Sequence, residues 1–281
     1  MTVCVVSKCS REKCIVAVTD KMLSMSAMSG DDLAVKFSAL GSKWIAMFAG
    51  DDISPVVPIF KEVRAVLAPA SCEETVEDVV VAFRAAIRKE KTTKSEAKVL
   101  SRFDIDMLEF RREGLANLGP ELFTRLAYEI AEISLDITFL VFGFEGTTEP
   151  VAHIFTINGT GDVSYFDLSG FWAIGSGQTS ALGTMFGIRN GIVYQTLPDV
   201  LYLCAKAKFS AESAIGVGKE TTAIVLQSNG DRYLIHAPEM AKLKAVWEST
   251  RGPDVPAAAD PVAMELLAEG KAKYAKREAE G

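Results

Sequence analysis

The second residue of the chain is a threonine, and a strand-like apolar run, Val3–Lys8, begins directly after it. A threonine hydroxyl is a poor nucleophile at neutral pH and needs a base close by. Removal of Met1 would give Thr2 such a base in its own α-amine, whose ordinary pKa of about 7.7–8.0 lies near working pH. A lysine beside the hydroxyl would favour the alkoxide and keep the amine from staying protonated. The alternative is that Thr2 is merely the first residue of an edge strand.

Other reactive types are arranged less usefully. Of the 5 cysteines, Cys4 and Cys14 fall inside apolar runs, and Cys9 lies at the turn between them. Cys4 shares a strand face with Thr2, but it has no free amine as base and reads as a packing thiol. No CxxC or Cys/His cluster is present, so a zinc site is not expected; no other metal and no cofactor is expected either. The 2 histidines, His153 and His236, are far apart and make Ser-His-Asp catalysis a poor candidate. The segment Gly216–Thr222, GVGKETT, looks like a phosphate-binding loop. However, Ser213 stands where the first glycine should be, Glu220 follows the lysine, and the order is helix then strand, the reverse of what a P-loop needs.

Composition bounds the rest. The chain has 281 residues, 49% of them hydrophobic, and a net charge of −7. The most basic stretch, Arg84 to Lys98, is interleaved with Glu90 and Glu96, which reads as a solvated helix face; no nucleic-acid partner is expected. No apolar run approaches a membrane span. The first residues lack the pattern of a signal peptide, so the expected location is cytoplasmic.

The elements that must position Thr2 follow from periodicity. Val3–Lys8 and Lys13–Asp20 read as a hairpin, and Leu33–Leu40 and Lys43–Gly50 as a second one, so that four strands come first. Helical spacing covers Ile53–Leu67, stopped by Pro69, and Thr75–Lys89, with helical character persisting through Lys91–Ala97. It returns at Leu100–Glu113 and Glu121–Ile133, punctuated by Gly114 and by Gly119-Pro120. Strands return at Thr138–Phe144, Val151–Ile157, Val163–Leu168 and Phe171–Gly175. Helices follow at Thr179–Arg189 and Pro198–Ala214, then strands at Thr221–Gln227 and Arg232–His236, and a helix at Ala241–Ser249. Strands in batches between groups of helices predict an α+β fold: a four-layer αββα sandwich of two antiparallel sheets flanked by helices. A domain over 1–250 is expected, with a helical insertion at about 95–135 and a linker and amphipathic tail over 251–281.

Several local features, in order along this plan, resemble the proteasome-type branch of the N-terminal-nucleophile (Ntn) hydrolases. Thr2 opens the first strand. VAVTDK puts Asp20 at the end of the second, LAVKF puts Lys36 in the third, and AMFAGDD puts Gly50 at the end of the fourth. FWAIGSGQTSA puts Ser176 in a strand-to-helix turn. The resemblance spans Thr2 to Ser249 and implies Thr2 as nucleophile, Lys36 beside its hydroxyl and Asp20 as the partner of the lysine. It further implies Gly50 N–H as oxyanion donor and Ser176 as the residue that holds the amine. Each position also has a plainer reading: a snorkelling surface lysine at 36, a turn former at Asp20, and a strand end or helix entry at Gly50 and Ser176.

The family usually places an Asp, then a Ser three residues on, then Gly-Gly near the end of a late core helix. Here Glu212 stands for the Asp and Ile215 for the Ser. The implied activity is threonine-type hydrolysis of a peptide or small amide by a homo-oligomer, a ring or stacked assembly, with a substrate-delivering ATPase as a partner. The alternatives are a non-catalytic assembly subunit of the same fold, for which Ile215 speaks, and a small-molecule amidase.

Overall fold

The computed structural model describes residues 2–25, 28–30, 36–67, 74–187 and 196–250. The chain divides into two compact units, Met1–Leu243 and Lys244–Gly281. Every element ahead of the last helix belongs to the first. The second is described over residues 244–250, the final turns of that helix. The positions of Pro69, Cys72 and the linker and tail over 251–281 lie outside the described residues.

Strands β1 (Cys4–Cys9) and β2 (Cys14–Asp20) form the expected hairpin, from Cys4 opposite Thr19 to Cys9 opposite Cys14. Their small and β-branched apolar residues are buried on both faces, as a central strand covered on both sides requires. A two-stranded ribbon follows, β3 (Leu23–Met25) and β4 (Met28–Gly30), which the periodicity does not announce. The next hairpin is lopsided: β5 is only Ser38–Ala39, against β6 at Trp44–Gly50. Lys36 was expected within this strand, but it lies two residues ahead of it. At the turn end Leu40 N–H donates to the carbonyl of Trp44 at 3.0 Å.

Helices α1 (Val56–Leu67) and α2 (Val76–Ser95) come next. Thr75 and Asp78 cap α2 reciprocally, satisfying two of its orphan donors. The polar stretch after Lys89 remains helical to Ser95 and passes through a π-turn at Glu96–Leu100 and a 3-10 turn at Ser101–Phe103. Helices α3 (Met107–Leu118) and α4 (Pro120–Ala131) follow, and this helical segment has its own small core of Val99, Leu100, Met107, Phe110 and Leu126. Gly114, read as a helix breaker, lies inside α3. A methyl group there would sit 3.2 Å from the Phe110 and Phe123 rings, so glycine permits the close approach of α3 to α4. Packing overrides a propensity cost of about 1 kcal/mol.

The later elements are β7 (Ile137–Glu145), β8 (Val151–Asn158), β9 (Val163–Tyr165), β10 (Phe171–Ile174), α5 (Gln178–Gly187), α6 (Leu197–Ala211), β11 (Thr221–Gln227), β12 (Arg232–Ile235) and α7 (Ala237–Thr250). They assemble with the early strands into two five-stranded sheets, β10-β1-β2-β11-β12 and β5-β6-β7-β8-β9. Every pairing in both is antiparallel.

Strand β7 shows how the layers form. Leu140, Phe142 and Phe144 point into the core between the sheets, where they meet Cys4, Val6, Ile15 and Ala17. Phe139 and Val141 point the other way, onto α1 and α2 through Phe60 and Phe83. Helices α5 and α6 pack against the outer side of the first sheet. The architecture is therefore the expected αββα sandwich. No helix of the described residues is long and apolar enough to cross a membrane.

Candidate active site

The antiparallel register of β1 and β2 brings the start of one strand to the end of the other. Asp20 N–H donates to the Val3 carbonyl at 3.3 Å, and on its other side Asp20 faces Thr221 of β11. Its carboxylate thus sits in the middle of a sheet, beside Thr2, with no exposure to solvent. Burying a carboxylate there is costly unless its oxygens are paired, and both are. Oδ1 accepts from the Thr2 hydroxyl, from Val3 N–H at 2.9 Å and from Lys36 Nζ at 3.0 Å. Oδ2 accepts from Lys36 Nζ at 3.0 Å, Met22 N–H at 3.1 Å and Gly218 N–H at 3.2 Å.

Lys36 is buried and donates to Thr2 Oγ as well as to both carboxylate oxygens. Thr2, Asp20 and Lys36 therefore close a triangle around one hydroxyl. Chemically, that hydroxyl has an acceptor for its proton and a cation to stabilise the oxygen left behind.

Thr2 lines a cleft of about 340 Å³ whose walls include Gly50, Asp51, Asp136, Gly175 and Ser176. At Gly50 a side chain would collide with the Asp136 carbonyl, just ahead of the neighbouring strand β7. The missing side chain thus serves strand packing as well as leaving the cleft open. Ser176 Oγ donates to the Thr2 carbonyl oxygen at 3.3 Å, and Gly177 N–H donates to the same oxygen at 3.3 Å. The contact of Ser176 is thus with the carbonyl of Thr2, not its amine. Gly175 has φ +99°, and any side chain there would strike the Thr2 carbonyl. The GSG turn holds Thr2 from the side opposite Asp20.

Glu212 caps the end of α6, and its carboxylate pairs with Lys208 Nζ at 2.7 Å. Ile215 is 83% exposed. Cys4 is fully buried, with its thiol 3.3 Å from Thr19 Oγ and donating to the Phe48 carbonyl at 3.6 Å. Burial pushes that thiol up to about 11, against the smaller lowering effect of Lys36. No group of His, Cys, Asp and Glu among the described residues is arranged to hold a metal.

Sequence reasoning names five residues that the fold gathers at this cleft or its floor: Thr2, Asp20, Lys36, Gly50 and Ser176. It assigns no role to Gly175, Gly177, Gly218 or Lys208. For the first two the signal was the pair of glycines flanking Ser176. The other two carry no local signal, because their bonds run between distant segments.

No protein-family model matches the chain, and no curated protein matches it. Among solved structures it is similar to the (Gly-1) mutant of Anbu, a bacterial proteasome-like protein, from Hyphomicrobium sp. strain MC1. The TM-score is 0.60 over 91% of this chain and 100% of that one, at 12% identity. At that identity the likeness establishes the fold: two antiparallel sheets with flanking helices, of the proteasome-like Ntn type.

Proposed function

We propose that the chain is a threonine-type amide-bond hydrolase acting on peptides, with Thr2 Oγ as nucleophile once Met1 has been cleaved away. The observation that carries this reading is the convergence of a buried lysine and a buried carboxylate on the Thr2 hydroxyl, at the wall of an open cleft.

In this mechanism the freed α-amine takes the hydroxyl proton as Thr2 Oγ bonds to the amide carbon. Lys36 stabilises the oxygen as it loses its proton, and Asp20 holds Lys36 and Thr2 in register. The carbonyl oxygen gains the charge and accepts from Gly50 N–H. Collapse breaks the C–N bond, and the leaving amine takes the proton from the α-ammonium group. An ester on Thr2 remains. Water, deprotonated by the same amine, then releases the acid and restores the hydroxyl. Ser176 supports the geometry through the Thr2 carbonyl. By analogy with its fold, the enzyme works as a cytoplasmic homo-oligomer supplied by an ATPase.

A second reading, a non-catalytic assembly subunit of the same fold, is favoured by the ion pair of Glu212 with Lys208 and the outward position of Ile215. One experiment separates the two. The purified protein is weighed intact and then treated with a peptide electrophile selective for N-terminal threonine. Loss of Met1 and a single adduct on Thr2 are expected. Retention of Met1 throughout the population would sink the nucleophile reading. A processed protein that forms rings but takes no adduct would establish the second one.

A further inference from the structure

Among the described residues two lysines are buried, Lys36 and Lys208. The mechanism above uses the first. Lys208 sits on α6 with no exposure, and its ammonium donates to Glu212 Oε1 at 2.7 Å, one helical turn on, and to the Lys219 carbonyl at 3.0 Å. A buried ammonium is costly, and an apolar pair of similar volume in place of such an ion pair is often as stable or more so. Its position therefore calls for a reason other than core packing.

The reason lies in the segment that Lys208 holds. Residues 212–220 connect α6 to β11, and their last part, 218–220, runs alongside Asp20 and Lys21. Gly218 N–H donates to Asp20 Oδ2 at 3.2 Å, and the Glu220 carbonyl accepts from Lys21 N–H at 3.3 Å. The Lys219 carbonyl between them accepts from Lys208 Nζ at 3.0 Å and, more distantly, from Thr221 Oγ1 at 3.3 Å. The segment is thus tied on one side to the carboxylate under Thr2 and on the other to a buried ammonium. The glutamate at the end of α6 reaches back over a full turn to pair with Lys208.

We infer that Lys208 is a positioning residue for the nucleophile. It fixes the Lys219 carbonyl so that Gly218 N–H is held on Asp20, and through Asp20 it sets the geometry of Lys36 and Thr2. This role rests on the proposed function for its catalytic consequence but not for its structural link.

The test compares the wild type with Lys208→Met and with the double variant Lys208→Met/Glu212→Leu. The double variant replaces the buried pair with apolar groups, a change cores tolerate even where a lone charge would unfold them. Two quantities are read: the amide proton signal of Gly218, with Asp20→Ala marking the position it takes without its acceptor, and kcat and KM on a reporter peptide. The expected result is a Gly218 signal displaced toward the Asp20→Ala position, together with a kcat lowered on the order of ten- to a hundredfold at unchanged KM. A Gly218 signal left at its wild-type position in a folded variant overturns the inference, as does a displaced signal with wild-type kcat. If the wild type neither turns over the peptide nor labels at Thr2, the proposed function fails, and the Gly218 signal alone still decides whether Lys208 holds the segment.

Discussion

Lys36 Nζ lies 3.0 Å from each oxygen of Asp20, and neither side chain is more than 2% exposed. A buried pair of this kind stabilises little by comparison with an apolar pair, yet breaking it is expensive, because the surviving charge is left without its partner. Lys36→Met is therefore expected to cost roughly 3 kcal/mol, the lower end of the usual range, since the carboxylate keeps its other donors. Urea denaturation checks the cost. Labelling of Thr2 by a threonine-selective electrophile is expected to vanish in the same variant, and labelling at the wild-type rate would remove Lys36 from the mechanism.

Thr2→Ala separates chemistry from stability. It removes one hydroxyl from the triangle and leaves the Lys36–Asp20 pair intact. The expected loss of stability is about 1 kcal/mol, while hydrolysis of a reporter peptide disappears. Met1 removal is checked by mass in both proteins, so that the two are compared in the same processed state. Unchanged turnover would exclude Thr2 as the nucleophile.

Gly175→Ala acts on Thr2 from the opposite side. The residue has φ +99°, and its new methyl would press on the carbonyl and Cγ2 of Thr2. Strained backbone and forced contact together are expected to cost about 1–3 kcal/mol. Displacement of the nucleophile is expected to slow labelling on the order of a hundredfold. A thermal melt and a time course of adduct formation measure the two effects. A variant that melts earlier but labels at the wild-type rate would limit Gly175 to a structural role.

The layers of the fold were legible because β7 and its neighbours are near-continuous apolar runs and the helices repeat at their own period. The order of strands within the sheets was not. β1 and β2 pair with β10 and β11, which come from the far end of the chain, and periodicity carries no information on partners that distant. Asp20 and Lys36 stood out as charges in apolar surroundings, and the family resemblance supplied the link between them. Lys208 gave no such sign. It alternates with Lys206 on the same helix, and its burial follows from the packing of α6 on β1 and β2. Gly218 reaches Asp20 only through the register of β11 against β2.

A second charge cluster predicts a pH dependence. Burial raises the Asp167 carboxyl, but hydrogen bonds from His153, from Lys8 and from Ile154 N–H outweigh it and hold it well below the usual carboxylate range. Lys8 is on β1 and His153 on β8, so Asp167 ties the two sheets together. A carboxyl with a depressed native pKa contributes stability that is fully present above its unfolded value of about 3.9 and is lost as pH falls through the native one. Urea midpoints of the wild type and Asp167→Asn should therefore differ at about pH 4.5 and converge as pH falls below 3.9. A gap of constant size through that window would contradict the assignment.

Cys4 is the rival nucleophile, because it lies two residues from Thr2 and is affected by Lys36. Reactivity of a cysteine requires both thiolate and access. With its thiol pushed up to about 11 by burial, Cys4 stays a thiol at pH 8, and its side chain is closed off between Thr19 and the Phe48 carbonyl. The other described thiols, Cys9, Cys14 and Cys204, are raised as well. Iodoacetamide at pH 8 is therefore expected to leave Cys4 unmodified in the native protein and to alkylate it once urea unfolds the chain, as read by peptide mass. Threonine-directed adducts should form at the same rate before and after the native-state treatment. Rapid native alkylation of Cys4, with loss of peptide hydrolysis in step with it, would transfer the nucleophile's role from Thr2 to Cys4.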